Sequence, residues 1–106
     1  MMPSPPGGAF RLPGYDLQEP SEADAVAALE RVFGPERAAD RWSRACREAG
    51  VLAGHLATWA QLGRAVASLA EQGGTTAVVA RSMEIRMRTF ARLSASAAAA
   101  AAGRQP

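Results

Sequence analysis

The sequence predicts an all-α protein: a small bundle of about four helices, with a disordered N-terminal arm before it and an alanine-rich C-terminal helix or tail after it. Three observations carry this expectation. Apolar residues recur at helical spacing in four successive windows, each bounded by capping or breaking residues. No alternating run of β-branched residues marks a strand. Hydrophobic residues make up 48% of the 106-residue chain, and 25 of them are alanine, the strongest helix former.

Residues 1–20 form the expected arm. They hold five of the chain's seven prolines, together with Gly7, Gly8 and Gly14. Such a segment buries too little apolar surface to offset the entropy of ordering. Phe10, Leu12, Tyr15 and Leu17 are its apolar residues, suited to docking on the body or on a partner.

The helical domain is expected over 21–96. Ser21 and Asp24 have the spacing of an N-cap and its reciprocal partner, which starts a helix at Ser21. Glu22 and Asp24 suit the positive end of that helix. Val26, Leu29, Val32 and Phe33 form its apolar stripe. Gly34-Pro35 ends it and opens the next, because proline at the first helical position loses no hydrogen bond.

The second helix covers about 35–49. Ala38, Trp42, Ala45, Cys46 and Ala49 share one face, and Asp40 with Arg44 is a favourable pair four residues apart. Gly50 stops it in the left-handed conformation. The third helix covers about 59–72, with Thr58 and Gln61 as a capping box and Trp59, Leu62, Ala65, Val66 and Leu69 as the stripe. Gly73-Gly74 ends it. Thr75 or Thr76 is then expected to cap a fourth helical region reaching about 102, with 97–106 as an alanine-rich tail.

Most chemistry is excluded by inventory. A single cysteine allows no intramolecular disulfide, and with a single histidine no metal site is expected; no cofactor is expected either. No catalytic residue stands out. His55 lies in a connector with only Thr58 as a nearby nucleophile, and Cys46 reads as small core filler. No stretch is apolar enough to cross a membrane. The N-terminus lacks the pattern of a secretory signal, so a cytoplasmic location is expected. The lysine-free, arginine-, alanine- and glycine-rich composition suggests a GC-rich bacterial coding background.

Charge is uneven. Residues 1–74 carry seven arginines and nine acids, net −2, whereas residues 75–106 carry five arginines and one acid, net +4. Such asymmetry points to an anionic partner or a solvated helix face.

Residues 74–93 run Gly74-Thr75-Thr76-Ala77-Val78-Val79-Ala80-Arg81-Ser82-Met83-Glu84-Ile85-Arg86-Met87-Arg88-Thr89-Phe90-Ala91-Arg92-Leu93. Gly74 before the helix, small Val79 and Ala80, apolar Met83 and Ile85, then Thr89-Phe90 and Leu93, together resemble the helix-turn-helix of Fis-type bacterial DNA-binding proteins. The resemblance implies an all-helical homodimer whose last helix enters the major groove. By position it implies DNA contacts from Arg86 and Thr89; Arg88 and Arg92 are placed to touch phosphates beside them, and Arg81 extends the same basic set. Glu84 stands at the turn position that is glycine in that family.

The alternative is one uninterrupted helix. At 100° per residue, Val79, Met83, Met87, Phe90, Leu93 and Ala97 share a face. Met83, Met87 and Phe90 are then the candidate partner-binding residues, since methionine and aromatic side chains suit an adaptable surface. Residues 21–93 hold only nineteen Val, Ile, Leu, Met, Phe and Trp residues. So lean a core is expected to gain from a partner or a second copy. Two functions remain: a non-catalytic protein–protein interaction module, adaptor or self-associating, and a small DNA-binding regulator.

Overall fold

The structure is a computed structural model and describes residues 18–103; the apolar arm residues Phe10, Leu12, Tyr15 and Leu17 lie outside the described residues. Four helices follow one another: α1 (Glu22–Phe33), α2 (Pro35–Ala49), α3 (Trp59–Glu71) and α4 (Gly74–Gly103). No strand element occurs among the described residues. α1 packs on α2, α2 on α3 and α3 on α4, while a lighter α1–α4 contact closes the ring. No helix among the described residues is long and apolar enough to cross a membrane.

The punctuation works as the sequence predicts. Ser21 and Asp24 form a full capping box at α1, and Thr58 and Gln61 form another at α3. Each satisfies donors that a helix start leaves unpaired. Pro35 sits in the first turn of α2, and Gly50 ends that helix at φ 74°, ψ 27°. Gly34 joins α1 to α2 at φ 82°, ψ 166°, a region that only glycine enters readily.

The start of α4 differs from expectation. Neither Thr75 nor Thr76 caps it; the helix begins at Gly74, and the Gly73 carbonyl accepts its first bond, from the Ala77 amide. Thr76 is instead buried and turned towards α2. Of the two alternatives for 75–93, the chain takes the single helix, with no turn at 83–85. That agrees with the lack of any Gly, Pro or Asn there to break it.

The core is built on small residues. Ala25, Ala38, Ala45, Ala65 and Ala80 are fully buried beside Leu29, Leu69, Val66, Cys46 and Met83. Val32 departs from its expected stripe and is half exposed. Val32 lies within about 20° of buried Ala25 round the helix, but two turns further on, in the last turn of α1 beyond the buried Leu29. Arg44 pairs with Glu48 at 3.1 Å, not with Asp40. Both side chains are largely exposed, so the pair contributes little.

Gly34→Ala tests the α1–α2 joint. A Cβ at Gly34 would meet nothing within 4 Å, so the cost is purely that of the backbone conformation. Urea denaturation should show a loss of about 1–3 kcal/mol with the helical content of the native state unchanged.

Candidate partner-binding surface

Two polar nodes fix how the helices face one another. At the first, the Glu22 carboxylate accepts hydrogen bonds from Trp42 Nε1 at 2.8 Å, the Gly54 amide at 2.6 Å and the Leu56 amide at 3.5 Å. One side chain thus holds α1, α2 and the connector before α3. The sequence offered Glu22 only as a complement to the helix dipole. The three donors lie 20 to 34 residues away in sequence, so no local signal points to them.

At the second node, Arg41 Nε donates to Thr76 Oγ1 at 3.1 Å, and its guanidinium lies 3.9 Å from the centre of the Phe33 ring. Gln72 Nε2 donates to the Arg41 carbonyl at 3.0 Å. This cluster ties the end of α1 and the α3–α4 junction to α2. A guanidinium over a ring face gains from the ring quadrupole.

The expected binding residues divide between inside and outside. Met83, Met87 and Phe90 are buried in the body and not displayed on its surface. Phe90 meets Trp59 with ring centres 5.9 Å apart, and Trp59, expected in the α3 stripe, remains about one-third exposed. Arg81, Arg86, Arg88, Thr89 and Arg92 are all exposed. Arg81, Arg88 and Arg92 fall within about 40° of one another round α4, whereas Arg86 lies well over 100° away, near Val79. Arg86 escapes burial by lying back along the helix, its guanidinium 3.8 Å from the Met83 sulfur. None of these arginines is ion-paired among the described residues.

The sequence did not single out the outer face of α4 as apolar. Ile85 and Val78 are 59% and 66% exposed, two turns apart and flanked by Arg81 and Arg88. Beyond Phe90 no residue of α4 is buried. Residues 91–103 therefore extend past the last buried turn by about 20 Å of helix. α1 and α2 leave an open groove of about 520 Å³ between them. Its walls are Ala23, Val26 and Ala27 from α1 and Ala39 and Ser43 from α2, over Trp42, with Glu22 and Glu30 at its edge.

No protein-family model, curated protein or solved structure matches the chain. The chemistry of the site is read from its residues alone. Among the described residues no group of three or more His, Cys, Asp or Glu is placed to hold a metal ion. His55 is exposed in the connector. Cys46 is buried in α2, where desolvation first and the Glu22 carboxylate second push its thiol up from 9.0 to about 11. A thiol so held is a poor nucleophile at neutral pH.

Two outcomes are expected. Glu22→Ala leaves the Trp42 and Gly54 donors without their acceptor and should lower stability by about 2 kcal/mol in urea denaturation. For Cys46, the unfolded thiol loses its proton near pH 9 and the folded thiol near 11. The native state binds the extra proton between these values, so stability should fall as pH rises through that window. Cys46→Ala should lack this component when both proteins are denatured at each pH.

Proposed function

We propose that the protein is a non-catalytic helical interaction module that self-associates through α4. The observation that carries the reading is the mismatch between α4 and its support. The helix is 30 residues long, yet its last buried residue is Phe90. The remaining turns present surface that the chain's own described residues do not bury. Ile85 and Val78 add exposed apolar area further up the same helix, among arginines, a residue type enriched at interfaces. Burying Met83, Met87 and Phe90 moves the candidate surface from the expected stripe to the outer face and far end of α4.

A second reading, binding to duplex DNA, rests on the shared exposed face of Arg81, Arg88 and Arg92, with Thr89 beside it. A continuous basic helix has the width to enter a major groove. In this reading Arg86, on another face, contributes less than the resemblance implies.

Sedimentation equilibrium of the full chain over a wide concentration range tests the first reading. Reversible self-association is expected; a monomer at every concentration would falsify it. Titration with duplex DNA tests the second. If DNA binds, log affinity should fall linearly with log salt, and Arg88→Ala should make the slope shallower. No binding at low salt removes that reading.

A further inference from the structure

We infer that the far end of α4 docks into the α1–α2 groove of a second copy of this chain, and that the exchange is reciprocal. The inference rests on the self-association proposed above and names its two surfaces. Three observations select this occupant.

The first is length. Residues 91–103 offer about 20 Å of helix, and the α1 wall of the groove, from Glu22 to Glu30, spans about 12 Å, so the segment is long enough to fill it. The second is shape. The groove walls are small, with Ala23, Ala27 and Ala39 among them, and the incoming segment includes the run 97–102, all alanine. Small residues on both sides let two helix backbones approach to the near end of the 8–10 Å range.

The third is charge, and it decides between partners. Pairing α4 with α4 would set Arg88 and Arg92 of one copy near those of the other, since no acid follows Glu84 in the chain. The groove instead carries Glu22 and Glu30 at its edge. Glu22 is already bonded to its three donors, which leaves Glu30, exposed on α1, as the free carboxylate to meet an incoming Arg92. The net −2 of residues 1–74 and +4 of residues 75–106 favour the same head-to-tail attraction between copies.

Reciprocity follows from area and closure. One helix end in one groove buries little. Two such contacts related by a two-fold axis double the area, and a stable interface needs about 1,200 Å² or more. They also close the assembly, where a one-way contact would propagate into a filament.

The test uses full-length variants and light scattering coupled to gel filtration. Ala27→Arg fills the groove. Ala95→Glu with Ala99→Glu places acids on the face of the incoming helix that carries Arg92, opposite the Glu30 edge. Both should be monomeric at concentrations where the parent is a dimer, with parental helical content and cooperative melts by circular dichroism. Mixed in equal amounts, they should form a 1:1 heterodimer. The Ala27→Arg chain supplies an intact helix end and the double-Glu chain an intact groove, so one of the two contacts can form, with an affinity at least tenfold below the parent's. A charge swap adds a readout that simple unfolding cannot mimic: Glu30→Arg or Arg92→Glu alone should weaken the dimer, and the two together should restore it. A dimer that survives Ala27→Arg with unchanged affinity overturns the groove as the docking site but leaves self-association standing. A parent chain that is monomeric throughout overturns both. Variants that fail to melt cooperatively transfer the decision to the charge swap, whose positions are exposed; absence of rescue there overturns the pairing.

Discussion

The carboxylate of Glu22 is the point from which the first half of the molecule is arranged. It lies at the first residue of α1 because the Ser21–Asp24 box starts the helix there, and the positive end of the helix favours its charge. Accepting from Trp42 fixes the rotation of α2, and with it the inward direction of Ala38, Ala45 and Cys46. Accepting from Gly54 and Leu56 holds a connector that has no helix of its own to pair those amides. The same charge, close to a buried thiol, helps to keep Cys46 protonated.

Such a node matters more here than in a core of large residues. Alanine faces pack closely but carry little information, because one smooth alanine surface fits another in many registers. The fully buried alanines of α1, α2, α3 and α4 allow the helices to approach without saying where they should stop. Leu29, Leu69 and Met83 supply much of the large buried apolar volume. The Glu22 and Arg41 nodes supply register, since hydrogen bonds are directional and their loss leaves half-buried groups unpaired. Arg41 also explains the burial of Thr76. A hydroxyl in the first turn of α4 is turned inward to meet the guanidinium and so is not used as a cap.

This division explains what could be read in advance. The helices, the caps of α1 and α3, and most of the α2, α3 and α4 stripes were legible because caps and periodicity are local, acting over three to seven residues. Ser21–Asp24, Thr58–Gln61, Pro35 and Gly50 each stand where the sequence places them. The two nodes were not legible, because every hydrogen bond in them joins residues at least 20 apart and they use types that also serve as ordinary surface charges. Val32 shares the face of buried Ala25, so periodicity alone places it inward; its exposure in the last turn of α1 depends on which neighbours cover that turn, which no local pattern records. A stripe of Met83, Met87 and Phe90 serves equally well as a binding face or as core, and here α3 covers it. What marks the outer surface is Ile85 among arginines, a pattern too short to stand out from a solvated helix.

The far end of α4 brings these strands together. An isolated alanine-rich segment of thirteen residues is a marginal helix, because nucleation is costly. Joined in phase to the packed turns before Phe90, it extends a helix already nucleated and avoids that cost. Its helicity therefore requires no partner. Its composition does say how a partner would be recognised. Alanine gives a slim rod with little side-chain identity, so recognition must come from the fit of the rod in a narrow groove and from the few charges beside it. Inside one chain, alanine faces are held in register by Glu22 and Arg41. In the proposed dimer the same physics calls for the same solution, small faces in contact with a charge pair at the edge. Glu30 and Arg92 are the exposed charges placed to provide it.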